Sequence, residues 1–227
     1  MNVALVALDI AGTTVDEGGA VYRVLADVVR DAGADPTDAD IRTWMGADKR
    51  EAIAALLAAG GATPDAATVD ARHGEFVARL TAAYAATPPA PLPGVPDAIA
   101  ALRTAGIRVA LTTGFDRQVT DPLLVAVGWR VGEHLDAVVC ADEVAAGRPA
   151  PLMIERAMRL TGVADPARVL AAGDTALDVR AGHAAGAGMV VGVLSGAQTA
   201  DELAPERPTH LLAGVHELPG LLLAGTR

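Results

Sequence analysis

The alternation of apolar runs and helical repeats predicts an α/β fold, a doubly wound parallel sheet with an inserted all-helical cap. Three observations predict it. Short apolar stretches of strand length recur at residues 4–8, 107–113, 136–140, 168–173 and 189–193, and helical patterns separate them, as right-handed crossovers between parallel strands require. Between residues 17 and 90 the pattern is helix only. That helical block ends at Pro88-Pro89-Ala90-Pro91-Leu92-Pro93-Gly94, a string stiff and extended enough to mark a boundary. Residues 1–16 and 91–227 are expected to form the core domain and residues 17–90 a helical cap domain, with hinges near 16–20 and 87–93.

The elements follow in order. Residues 4–8 are uncharged and apolar, the pattern of a strand buried on both faces, and the run breaks at Asp9. Val21, Val24, Leu25, Val28 and Val29 recur at threes and fours until Gly33 stops the first helix. Thr37 is placed as an N-cap with Asp40 three residues on, and this second helix is expected to end around Trp44-Met45-Gly46. A third helix, 50–59, carries Ile53, Leu56 and Leu57 on one face. A fourth, 65–86, carries Val69, Phe76, Val77, Leu80 and Tyr84. After the proline-rich string come a helix over 95–105, a strand ending in Thr112-Thr113-Gly114, a strand ending at Cys140, a strand ending in Gly173-Asp174, and a fifth strand over 189–193. In an open α/β sheet the carboxyl edge is where ligands bind, so Asp9, Thr113 and Asp174 are gathered there by topology alone. Taken singly, each also fits a plain structural part: an aspartate or threonine at such a position caps the following turn.

Composition narrows the partners. The net charge is −10, which argues against nucleic acid or an anionic membrane surface as a standing partner, so an anionic substrate needs locally placed cations. The single cysteine, Cys140, forms no internal disulfide, and no run of 18 apolar residues is present; the expectation is a cytoplasmic monomer or homodimer. His73, His134, His183, His210 and His216 lack metal-ligand spacing and are read as surface or satisfied core positions. Asp116 and Arg117 are read as the start of a helix, and Tyr22 as a core residue that can also face a cleft.

The string Asp9-Ile10-Ala11-Gly12-Thr13-Thr14 resembles motif I of the haloacid dehalogenase superfamily, in the branch whose motif reads Asp-x-Ala-Gly-Thr-Thr, the phosphonoacetaldehyde hydrolases and their phosphonatase-like relatives. The remaining motifs follow in order: Thr113, then Arg148 in Gly147-Arg148-Pro149, then Gly173-Asp174 with Asp178. The resemblance implies a Rossmann-like core and a hydrolase that forms an aspartyl-phosphate on Asp9. It implies a Mg²⁺ site from Asp9, the backbone carbonyl of Ala11, Asp174 and, in support, Asp178, all hard oxygen donors. Thr113, Gly114 and Arg148 are then the phosphate-binding groups, and Arg148 also steadies Asp9. Most of the superfamily carries an acid where this chain has Ala11, and alanine moves no proton.

Met45-Gly46-Ala47-Asp48-Lys49 resembles the cap motif of phosphonoacetaldehyde hydrolase, whose lysine forms a Schiff base with the substrate aldehyde. Met45, Gly46 and Lys49 are accordingly the cap's substrate contacts. An iminium lets the carbon leave phosphorus as an enamine, which removes the need for a strong acid at position 11. Lys49 has a second reading, a purely electrostatic contact to an anionic substrate. The family's histidine three residues after the lysine is Ala52 here, and its motif II tyrosine is Phe115. The expected substrate is a small anionic phosphonate or phosphate. Carbon–phosphorus hydrolysis leads; a phosphomonoesterase and, behind it, a non-catalytic binding protein are the alternatives. A mutase needs the acid missing at Ala11, and a dehalogenase has no use for the metal set.

Overall fold

Strand β1 (Leu5–Leu8) is fully buried and is followed at once by a two-residue strand β2 (Val15–Asp16) in the computed structural model, which describes residues 2–224. Met1 and residues 225–227, part of the expected core segment, lie outside the described residues. Four helices come next: α1 (Ala20–Asp31), α2 (Asp38–Thr43), α3 (Lys49–Ala59) and α4 (Ala66–Ala86). Three are started by side-chain caps. The Asp40 amide donates to Thr37 Oγ1 at 3.2 Å while Asp40 accepts from the Thr37 amide at 2.8 Å; Asp48 accepts from Glu51 and Asp65 from Thr68. The chain returns through β3 (Ala90–Pro91) and continues as α5 (Val95–Thr104), β4 (Arg108–Thr113), α6 (Arg117–Ala126), β5 (Ala137–Cys140), α7 (Leu152–Thr161), β6 (Val169–Gly173), α8 (Ala176–Ala184), β7 (Met189–Val193), α9 (Ala200–Leu203), β8 (His210–Leu212) and α10 (Leu218–Leu223).

The large sheet is entirely parallel, in the order β5-β4-β1-β6-β7-β8. Alternate residues of β1 feed two cores. Leu5 and Ala7 pack with Met153, Ile154 and Ala157 of α7, while Val6 and Leu8 join the larger cluster that also holds Val21, Leu25, Ile53, Leu56, Phe76 and Leu80 from the four helices. The helical segment is therefore tied to the sheet by one continuous apolar interior, in which truncating a residue such as Leu8 or Leu25 to alanine costs about 2–5 kcal/mol.

Two details depart from expectation. The sheet has a sixth strand, β8, on its edge, paired with β7 through Val191↔His210. The extended connector is also not free: β2 and β3 pair antiparallel, Asp16 opposite Ala90, and the Leu92 amide donates to the Thr14 carbonyl at 3.0 Å, so the two crossings between sheet and helices are stitched together. The second helix stops at Thr43, and Trp44, Met45 and Gly46 form the turn that follows it.

Register fixes the edge. Leu8 lies opposite Leu111 and Ala172, so Asp9, Thr112 and Gly173 leave the sheet level with one another, with Thr113 and Asp174 one residue farther.

Candidate active site

Asp9, Asp174 and Asp178 place one carboxylate oxygen each within 4.8 Å of the others, all buried. Each is held differently. Arg148 Nη2 meets Asp9 Oδ1 at 2.8 Å, and Arg148 Nε meets Asp178 Oδ1 at 2.8 Å, so one guanidinium bridges two acids. The same Nη2 also donates to the Thr112 carbonyl at 2.9 Å. Asp174 accepts from Thr13 Oγ1 at 2.9 Å and from the Ala197 amide at 2.6 Å. Asp178 spends its second oxygen on the capping box of α8, where it accepts from the amide and hydroxyl of Thr175. Asp178 thus supports Arg148 with one oxygen and α8 with the other, while remaining within reach of the Asp9 and Asp174 oxygens.

Three carboxylates share one bridging cation here, and their chemistry reflects it. Burial drives the Asp9 carboxyl up to about 8; Arg148 pulls it down, and Asp178 and Asp174 push it further up. Burial and the neighbouring Asp178 carry Asp174 up to about 6, against the Ala197 amide. Buried hard oxygens with too little positive charge among them are what a divalent cation satisfies, so the donor set fits a metal. Ala11 and Gly12 line a cavity of about 240 Å³ together with Asp174, and Asp16, Glu17, Tyr22, Met45, Ser195 and Gly196 also bound it.

The turn between α2 and α3 closes over this edge, and it does so by backbone. Gly46 has φ +82°, and a Cβ there would lie 2.4 Å from Thr175 Oγ1; a Cβ on Gly114 would lie 2.4 Å from the Ala47 carbonyl oxygen. The Gly46 carbonyl accepts from Arg148 Nη1 at 3.2 Å, so the bridging guanidinium also reaches the helical segment. Lys49 opens α3 immediately after the turn. It is only 4% exposed, donates to the Ala47 carbonyl at 2.7 Å, and lies 5.5 Å from the Phe115 ring centroid. Burial lowers its amine to about 8, against the pull of Asp48 and Asp9. Thr113 is buried beside the turn, its hydroxyl oxygen accepting from the Phe115 amide at 3.1 Å, which leaves its hydrogen free to donate.

Asp9, Thr113, Gly114, Arg148, Asp174, Asp178, Met45, Gly46 and Lys49 thus come to one place, with Ala11 on the wall of the adjoining cavity. Several neighbours had weaker sequence signals. Thr13 was visible only as part of a motif, yet it orients Asp174. The Ser195-Gly196-Ala197 loop follows β7 at the same edge and is not singled out by the sequence; a Cβ on Gly196 would lie 2.1 Å from Asp174 Oδ2. Tyr22 packs its ring on the core and also borders the cavity. His73 is buried, 3.4 Å from Asp116 Oδ2, and Arg50 Nη1 is 3.6 Å from the same oxygen, a contact between the helical segment and the N-cap of α6. Burial and Arg50 hold the imidazole below its ordinary range, against Asp116.

Comparison with known proteins agrees with this arrangement. Residues 3–186 match the haloacid dehalogenase-like hydrolase family. A phosphonoacetaldehyde hydrolase from Paraburkholderia xenovorans is 33% identical over 192 residues, covering 80% of this chain and 71% of that protein. One from Bacillus cereus is 32% identical over 211 residues, 86% of this chain and 77% of the relative. The crystal structure of a phosphonoacetaldehyde hydrolase-like protein from Oleispira antarctica superimposes with a TM-score of 0.82 over 99% of this chain and 92% of its own, at 22% identity, a likeness of fold. Among the described residues no helix is long and apolar enough to cross a membrane.

Proposed function

Because the chain belongs to the haloacid dehalogenase-like hydrolases, in their phosphonatase-like branch, we propose that it cleaves the carbon–phosphorus bond of phosphonoacetaldehyde or a close aldehyde phosphonate. Asp9 is the nucleophile, and Mg²⁺ is the metal, held by Asp9, Asp174 and the Ala11 carbonyl. When bound, the metal offsets charge between an anionic nucleophile and an anionic phosphorus. Arg148 keeps the Asp9 carboxylate oriented and, with Thr113 and the Gly114 amide, receives the phosphoryl oxygens. Residues 17–90 act as a cap domain that excludes water when its 44–48 turn meets the core.

The observation that carries this reading is a buried Lys49, its amine lowered to about 8 and within electrostatic reach of Asp9, in a chain that has Ala11 in place of an acid. The Lys49 amine attacks the aldehyde, water leaves, and the resulting iminium accepts the electron pair as phosphorus passes to Asp9. Borohydride reduction in the presence of phosphonoacetaldehyde, followed by peptide mass spectrometry, tests it: a reduced adduct on the Lys49 peptide is expected. Turnover of the aldehyde with no adduct would dismiss the imine.

A phosphomonoesterase acting through the same Asp9 is the second reading. It is favoured by Ala52, fully buried where the family pattern has histidine, and by Phe115 in place of tyrosine.

A further inference from the structure

The site still needs a proton. Whichever bond breaks, the atom leaving phosphorus takes an electron pair: an ester oxygen becomes an alkoxide, and the enamine carbon must be protonated before the imine hydrolyses to a methyl aldehyde. Ala11 has no group to supply it. Candidates on the cavity wall are few. Ser195 Oγ donates to the Gly12 carbonyl at 2.8 Å, Asp174 is held by Thr13 and Ala197, and at the foot of α1 the Asp16 carboxylate accepts from the Gly18 amide and the Glu17 carboxylate from the Gly19 and Val21 amides.

Tyr22 remains. It stands in the first turn of α1 and lines the same cavity as Ala11, Gly12, Met45 and Asp174, so it shares that space with the position where the superfamily carries its acid. Its phenol shares that cavity with the Asp174 carboxylate, and Asp174, Asp9 and Asp178 all act on it electrostatically. Burial and those three acids keep the phenol protonated, as a donor requires.

We propose that Tyr22 is a catalytic residue, the proton donor to the atom that leaves phosphorus, supplying from the helical segment what Ala11 lacks on the core. As the Asp9 oxygen bonds to phosphorus, the bond from phosphorus to the leaving atom breaks and its electron pair departs with that atom. In an ester the Tyr22 O–H proton passes to that oxygen directly. In the phosphonate it passes to the enamine carbon. The phenolate then regains a proton from cleft water. This role rests on the proposed aspartyl-phosphate reaction.

Tyr22→Phe removes the hydroxyl and keeps the ring packing, so an unchanged melting temperature is expected. The test compares wild type and variant on phosphonoacetaldehyde, glycerol phosphate and p-nitrophenyl phosphate with Mg²⁺. On the first two substrates kcat should fall about a hundredfold with KM little changed, the size typical of a lost general acid. On p-nitrophenyl phosphate, whose leaving group needs no proton, kcat should hold. Adding Ala11→Asp to Tyr22→Phe should recover turnover of glycerol phosphate. Equal rates on all substrates, or an equal loss on all, would overturn the role of Tyr22 while leaving the hydrolase reading in place. A wild-type protein inert toward all three would instead strike the proposed reaction itself, and the donor role with it.

Discussion

Lys49→Arg keeps the positive charge at the mouth of α3 and removes the nucleophilic amine, so it separates imine chemistry from plain charge. With burial bringing Lys49 to about 8, roughly one amine in ten is neutral at pH 7; an exposed lysine of pKa ~10.4 offers about one in 2,500. A guanidinium of pKa ~12.5 or above offers fewer than about one in 300,000. The fraction able to attack a carbonyl therefore drops by about 10⁴ or more on substitution. The assay is phosphate release from phosphonoacetaldehyde with saturating Mg²⁺, read as kcat/KM from pH 6.5 to 9. Wild-type activity should climb with pH and level off above about 8 as the amine loses its proton, and the variant should be indistinguishable from background. Were Lys49 only an anion contact, the loss would be about tenfold, or about 1.4 kcal/mol. A variant within tenfold of wild type, or a wild-type profile flat across that range, would refute the imine.

Asp9→Asn and Asp174→Ala should each abolish phosphate release with unchanged circular dichroism, and EDTA should silence the wild type until Mg²⁺ is returned; turnover by Asp9→Asn would end the aspartyl-phosphate mechanism. Asp9, raised to about 8, binds a proton in the folded chain that the unfolded chain has lost above about 4. The metal-free protein should therefore become less stable as pH rises from 6.5 to 7.5, where the opposing proton differences of His73 and Lys49 are smaller than that of Asp9, with Mg²⁺ flattening the trend; a melting temperature that climbs over that interval in EDTA contradicts it. Ala11→Asp places a further carboxylate beside Asp9 and should slow phosphonoacetaldehyde turnover while raising that of simple phosphate esters. Faster ester turnover with no slowing of phosphonoacetaldehyde turnover would favour the phosphomonoesterase.

Strands buried on both faces were legible because their apolar runs have no polar interruption: β1, β4, β5, β6 and β7 all read from composition alone, and the acids that end β1 and β6 marked the working edge. β8 was not legible, for a physical reason. It is an edge strand of three residues, half-exposed, with His210 in the pairing, and such a strand needs neither alternation nor a continuous apolar run. The β2–β3 pairing escaped because two residues carry no periodicity and Pro91 argues against a strand. Side-chain destinations were harder still. Arg148 sits in a loop, and nothing in its neighbours says that it spans Asp9, Asp178 and Gly46 at once. Tyr22 falls on a helical period that serves core and cleft alike, so only the packed structure separates the ring's place from the hydroxyl's.

Arg148 connects the two halves of the proposed chemistry. Its guanidinium holds the nucleophile at one end and accepts the Gly46 carbonyl as a partner at the other, so in the proposed reading the cap's arrival adds a dipole to the same cation that orients Asp9. The contact is made by backbone, at Gly46 against Thr175 and at Ala47 against Gly114, where no side chain fits. In that reading, closure is kept independent of the groups proposed to meet substrate. Met45, Lys49 and Tyr22 lie around that backbone junction. In the proposed reading, substrate choice then resides on the cap, while the core keeps one way of taking a phosphoryl group.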